Sequence, residues 1–151
     1  MSNRIKDFRP REYRKEDYEE VAILWDLTGM GRPERGDDNK TIEKSIRLGG
    51  KFIILEEINT GRIVGTSWLT FDGRRLHLHH FGILPELQNQ GLGKMLLEIT
   101  LKEVKLLGIQ VKLEVHRSNI KAINLYKKYG FSYLGDYLVY IIRDTSNNII
   151  N

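Results

Sequence analysis

From Ile83 to Lys94 the chain reads Ile83-Leu84-Pro85-Glu86-Leu87-Gln88-Asn89-Gln90-Gly91-Leu92-Gly93-Lys94. This glycine-bearing turn separates a strand-like run (Leu76 to Ile83) from a helical pattern (Met95, Leu96, Ile99, Leu101, Val104). A helix that begins at Gly93 leaves several backbone N–H groups with no acceptor inside it, and that end carries a partial positive charge. Such a start can hold a phosphate or pyrophosphate, and glycine at 91 and 93 lets an anion reach the backbone because no Cβ stands in the way. Single residues exclude two other phosphate loops. Met95 follows Lys94 where a nucleotide-triphosphate loop needs Ser or Thr, and Leu96 stands where a dinucleotide turn needs its third glycine. The alternative to an anion cradle is a plain strand-to-helix turn.

The other reactive residues are imidazoles, a carboxylate and a phenol. Arg74-Arg75-Leu76-His77-Leu78-His79-His80-Phe81 alternates as a strand does. Alternation places His77 and His79 on one face with Phe81 and Ile83, and turns His80 to the other. A bulge near Gly82 would change which face each histidine shows. Imidazole titrates near neutral pH, which suits proton transfer. Three histidines also invite a zinc reading, but neighbours on alternate faces cannot all bind one ion and the chain has no cysteine to help, so no metal is expected. Without cysteine there is neither a disulfide framework nor a thiol nucleophile. Glu114, out of phase with Leu113 and Val115, is either a base or a water-facing strand residue. Tyr126 is either a core aromatic or a proton donor.

These groups need a scaffold. A length of 151 residues predicts one domain, 1–151, with a single core and a frayed polar tail from about Asp144. Hydrophobic content of 40% and charged content of 29% are ordinary for a soluble globular protein. No apolar run approaches the ~20 residues that span a bilayer. The charged start (Arg4, Lys6, Asp7, Arg9, Arg11) lacks the apolar core of a signal peptide, and a cytoplasmic protein is expected. The net charge of +4 comes from 24 basic and 20 acidic residues, well mixed, which suits an anionic small ligand and argues against nucleic acid.

Periodicity and turn chemistry supply the elements. A first strand is expected within Ile5 to Arg14, kept to an edge by Pro10, then helices over Glu16 to Leu27 and Asn39 to Leu48. Strands follow over Lys51–Ile58, Arg62–Phe71 and Arg74–Ile83, the last two joined by a hairpin at Asp72-Gly73. After the glycine turn come a helix (Gly93–Leu107), a strand (Gln110–His116), a helix (Asn119–Tyr129) and two strands, Phe131–Leu134 and Tyr137–Arg143, joined at Gly135-Asp136. The order is β-α-α-β-β-β-α-β-α-β-β. It predicts an α/β fold with a mixed sheet of about seven strands and helices on both faces, where the strand-helix-strand unit around the turn requires a right-handed parallel crossover.

Gln88-Asn89-Gln90-Gly91-Leu92-Gly93 resembles the Gln/Arg-x-x-Gly-x-Gly/Ala signature of the GNAT N-acetyltransferase superfamily, and the element order is similar to that of the GNAT fold. A second run, Leu113-Glu114-Val115-His116-Arg117-Ser118-Asn119-Ile120-Lys121-Ala122-Ile123-Asn124-Leu125-Tyr126, with its Gly130-Phe131 exit, looks like that family's strand, Asn-x-x-Ala-x-x-x-Tyr helix and return. The resemblance implies acetyl-CoA as co-substrate. The amides of Gln88, Asn89, Gln90, Gly91, Leu92, Gly93 and Lys94 would hold its pyrophosphate, and the strand backbone through Phe81, Gly82 and Ile83 would pair with the pantetheine. Asn119, which also serves as a helix cap, would touch the coenzyme. Tyr126 would give a proton to the departing thiolate.

The same resemblance offers two bases. Arylalkylamine acetyltransferases carry a similar His-Leu-His before the loop, which favours His79. Ribosomal-protein N-terminal alanine acetyltransferases show a similar Leu-Glu-Val run, which favours Glu114 in second place. The latter enzymes close a longer segment over a peptide, for which Gly135-Asp136 leaves no room, so the expected acceptor is a primary amine on a small molecule. A protein N-terminus is the alternative within enzymes, and a non-catalytic acyl-CoA-binding module is the alternative of another class. Trp25, Met30, Arg32 and Arg35 are expected to wall the acceptor side. A homodimer is compatible with the sequence.

Overall fold

The structure is a computed structural model that describes residues 3–31 and 35–146, so Arg32 lies outside the described residues. The chain divides into two compact units, Met1–His116 and Arg117–Asn151.

The first unit is built on a five-stranded sheet in the order β1-β2-β3-β4-β5, with β1 Phe8–Glu12, β2 Lys51–Glu57, β3 Ile63–Phe71, β4 Leu76–Ile83 and β5 Val111–Leu113. β1 to β4 are antiparallel neighbours and β5 joins β4 in parallel, as the crossover requires. Pro10 sits within β1 at the sheet edge, where a missing N–H costs no rung. The expected hairpin forms at Asp72-Gly73. The Asp72 carboxylate accepts from the N–H groups of Arg74 (2.8 Å) and Arg75 (2.7 Å), and Gly73 takes φ 89°.

Three helices cover the sheet: α1 Tyr18–Leu27, α2 Asn39–Arg47 and α3 Leu92–Leu107. Asp38 caps α2 by accepting from the Thr41 N–H, and left-handed Gly108 ends α3. Strand alternation separates the helices onto two faces. On one, Trp25 of α1 donates through Nε1 to Thr66 (3.0 Å), and Trp68 donates to Ser45 of α2 (2.8 Å). On the other, Ser67 hydrogen-bonds Thr100 of α3 at 2.7 Å. Trp25, Phe52, Trp68 and Tyr13 form a continuous aromatic cluster on the first face. A buried carboxylate, Glu56, ties the edge strand down by accepting from Arg9 and Arg11, and Arg11 reaches on to Asp17.

The second unit holds one helix, α4 Ile120–Lys128, capped by Asn119, whose side chain accepts from the Ala122 N–H at 3.2 Å. The sequence predicts two more strands here and a seven-stranded sheet, and the structure corrects both expectations. Residues 131–143 carry no strand, and five strands are present among the described residues. The turn at Gly135-Asp136 does form, with the Tyr137 N–H donating to the Leu134 carbonyl at 3.3 Å. Its arms do not zip, and among its described residues the unit has no other strand to template them; a lone two-stranded hairpin is marginal in water. β5 is also shorter than the expected Gln110–His116, with its last rung at Leu78↔Leu113. β4 enters its bulge two residues further on, at His80, and a bulge bends its strand.

Candidate active site

The turn after β4 has the features of an anion cradle. Pro85–Leu87 makes a single 3₁₀ turn, Asn89 takes a left-handed φ of 63°, and Gly91 precedes α3 with φ 85°. Only a residue without Cβ adopts the last conformation cheaply, which accounts for glycine at 91. Gln88 braces the turn by donating from Nε2 to the Ile83 carbonyl at 3.0 Å, and Gln90 donates to the Glu86 carbonyl at 3.4 Å. The start of α3 has no side-chain cap and no acidic residue in its first turn. The Met95 N–H bonds to the Gly91 carbonyl, while by helix geometry the amides of Leu92, Gly93 and Lys94 point out of the helix end. A Cβ on Gly93 would meet nothing within 4 Å, so the space above this end is open. The residues present fit a diphosphate.

Directly upstream, β4 breaks its alternation. Its register with β3 shifts between Thr66 and Trp68, and His80 stands in the bulge with φ 46°. The outcome differs from strict alternation. His77 and His79 share a face as expected, their rings stacked at 3.9 Å, but His80 joins them there, packed on Trp25 at 4.3 Å and Trp68 at 5.3 Å. All three histidines therefore face α1 and α2, yet among the described residues no group of three His, Asp or Glu side chains could hold a metal ion.

Their surroundings differ. Burial, reinforced by His77 and His80, pushes the His79 imidazole down to about 4, and its Nε2 lies 2.8 Å from the Thr70 hydroxyl. His79 is therefore neutral at pH 7 and a weaker base than ordinary imidazole. Burial also lowers His77, opposed by the negative charge of Glu114. Glu114 lies just past β5 and is exposed. His80 was not singled out from the sequence. Its Nε2 lies 3.2 Å from Asp37 Oδ2, with 14% and 13% of the two side chains exposed, and its Nδ1 is buried without a hydrogen-bond partner among the described residues.

The connection between α1 and α2 closes on this pair through glycine. A Cβ on Gly31 would stand 2.5 Å from His80 Nε2 and 2.7 Å from Asp37 Oδ2. Met30 packs against Gly82, where a Cβ would come within 2.6 Å of the Met30 methyl. Of the residues expected to wall the acceptor side, Met30 is thus on the bulge and Arg35 is exposed. Trp25 is core, 1% exposed. In the second unit, Tyr126 is buried beside Phe131, ring centroids 5.5 Å apart, and burial pushes its phenol up to about 12. It stays protonated at neutral pH, as a proton donor must.

Residues 10–131 match the model of the Acetyltransferase (GNAT) family. A GNAT-family acetyltransferase from Staphylococcus aureus Mu50 is 25% identical, with 87% of this chain and 88% of that one aligned at a TM-score of 0.73. Two further structures share the fold. The ribosomal-protein-S18-alanine N-acetyltransferase of Escherichia coli is 22% identical over 83% of this chain and 77% of its own, at TM-score 0.70. A predicted acetyltransferase of Clostridium acetobutylicum, solved with acetyl-CoA, is 19% identical over 89% and 96%, at TM-score 0.67.

Proposed function

This chain belongs to the GNAT acetyltransferase family, and from that membership we propose that it moves the acetyl group of acetyl-CoA directly to the primary amine of a small molecule. The observation that carries the reading is the uncapped start of α3, with Gly91 left-handed and open space over Gly93. The amides from Gln88 to Lys94 take the pyrophosphate. β4 runs on to Ile83 after its last rung with β5 at Leu78, and its backbone through Phe81, Gly82 and Ile83 is assigned to the pantetheine. Asn119 is assigned a contact to the coenzyme.

In the proposed reaction the amine nitrogen forms a bond to the thioester carbonyl carbon, the carbon–sulfur bond breaks, and the nitrogen loses a proton. A backbone N–H aimed at the developing oxyanion is commonly worth ~10²–10³ in rate. Tyr126 supplies the proton for the thiolate, in keeping with its raised phenol. The proton from nitrogen goes to a base for which the family resemblance ranks His79 on β4 first and Glu114, just past β5, second. The tight Leu134–Tyr137 turn favours a small acceptor over a protein N-terminus.

The test is acetyl transfer from acetyl-CoA to a panel of polyamines, aminoglycosides, arylalkylamines and N-terminal peptides, with coenzyme binding measured in parallel. Turnover of a small amine supports the reading. Turnover of peptides alone moves the protein among the N-terminal acetyltransferases. Binding with no turnover makes it an acyl-CoA-binding module.

A further inference from the structure

We propose that His80, oriented by Asp37, is the proton acceptor for the attacking amine. The inference rests on the amine-acetylation reading and names a residue that neither the signatures nor the family match assigns.

A bare ring lone pair facing a carboxylate at 3.2 Å would be repelled, so Asp37 favours the tautomer with the His80 proton on Nε2 and Nδ1 as a bare lone pair. That lone pair is buried and meets no donor among the described residues. The two indoles packed on the ring cannot supply one, because Trp25 donates to Thr66 and Trp68 donates to Ser45. A buried polar atom left without a partner costs about 1–3 kcal/mol, and a proton-bearing ligand group relieves that cost. The backbone is also set for this residue. A non-glycine φ of 46° inside a strand is strained, and strain of this kind gathers at functional sites. The Thr66 hydroxyl fixes the bulge by donating to the His80 carbonyl at 2.7 Å, and Gly31 leaves no room for a side chain against the pair.

The neighbours favour His80 over His79. Among the described residues, the titratable groups around it are Asp37 from the α1–α2 connection and His79 on its own strand, rings 6.3 Å apart, while α1 and β3 present Trp25 and Trp68, which do not titrate. A proton arriving on Nδ1 makes an imidazolium whose charge Asp37 balances. His79 has Thr70 in that place, a neutral partner. In the step, the nitrogen–hydrogen bond of the amine breaks, its electron pair stays with nitrogen as the amide forms, and the proton passes to Nδ1 and later to water.

Two measurements on the full chain test this. Long-range ¹H–¹⁵N spectra of the histidine rings are expected to show His80 protonated at Nε2 and bare at Nδ1; a proton on Nδ1 in the neutral ring overturns the proposal. In kinetics, His80→Gln keeps an N–H for Asp37 but has no basic nitrogen, and kcat/KM is expected to fall about 10²–10⁴-fold with acetyl-CoA affinity unchanged. Asp37→Asn, a positioning variant, is expected to lower kcat and to move the acid limb of kcat/KM to lower pH, because the imidazolium loses its counter-charge. A merely structural clamp would lower the rate without moving that limb. Full rate in a folded His80→Gln protein, or an acid limb that vanishes in His79→Gln and not in His80→Gln, overturns the proposal alone. A wild type that acetylates no amine sinks the acetylation reading and this proposal with it.

Discussion

Replacing Gly93 by alanine should make the protein more stable and leave its affinity for acetyl-CoA unchanged. The two outcomes follow from separate features of one residue. Gly93 lies in the first turn of α3, its φ is not among the positive ones, and a Cβ there would meet nothing within 4 Å. Alanine therefore fits without strain and reduces the freedom of the unfolded chain, a gain of ~0.4–1 kcal/mol. For a chain of 151 residues that corresponds to a rise in Tm of about 1–4 °C. A diphosphate at this helix end accepts from backbone amides, which alanine keeps, and the Gly/Ala signature that this loop resembles admits a methyl group at this place. Losing one hydrogen bond to a charged group would cost about 1.5–3 kcal/mol, or roughly 10- to 100-fold in Kd, so a displaced diphosphate would be plain to see. Thermal unfolding of the free protein and calorimetric titration with acetyl-CoA read the two effects separately. A Kd weakened tenfold or more would refute the assignment of the diphosphate to the backbone amides, since the methyl group would then stand in its place. A lower Tm would refute the claim that the space is open.

Three further outcomes are expected from the same structure. Gly91→Glu puts a side chain at φ 85° and a carboxylate at the anion site; it should abolish acetyl-CoA binding in a protein still folded by circular dichroism, at a stability cost of about 1–3 kcal/mol. Tyr126→Phe should lower turnover about 10²–10⁴-fold and spare coenzyme affinity, so full turnover in that variant removes Tyr126 as the acid. Because burial holds His79 down to about 4, between the ordinary imidazole range and pH 4 the unfolded chain binds a proton that the folded one refuses. Stability should therefore fall as pH drops through that window, by roughly 1–3 kcal/mol, and urea titrations of His79→Gln should show a flatter profile.

Local chemistry made most of the scaffold legible. Asp72-Gly73 specified its hairpin because an Asx carboxylate and a left-handed glycine act within a few residues, and both are in place. Gly91 and Gly108 mark the two ends of α3 by the same backbone freedom. Residues 131–143 failed for the opposite reason. Their aromatic and β-branched pattern states a preference for extended backbone, but a strand exists only when another strand supplies the rungs, and no run of residues encodes whether that partner is there. β5 shows the same dependence on its neighbour, since its last rung, at Leu78, comes just before the bulge of β4 at His80.

The site was legible to the degree that period-2 alternation holds along β4. Alternation correctly stacked His77 on His79 and wrongly sent His80 to the far side, because one extra residue in a bulge reverses the parity of the strand residues beyond it. Gly82 hinted that the strand was irregular; the shift itself falls at His80, where Thr66 holds the carbonyl and Asp37 holds the ring. Asp37 could not be found by spacing, since it comes from the connection between two helices and meets β4 only once α1 is packed on the sheet. The physical lesson concerns basicity as well as position. The histidine on the regular part of the strand became buried with a neutral hydroxyl as its ring partner, and burial lowered its affinity for protons despite the charge of Asp37. The one displaced by the bulge acquired a carboxylate. A general base needs a ring held in one tautomer with a free lone pair, and so the proton acceptor is sought at the irregularity and not in the motif.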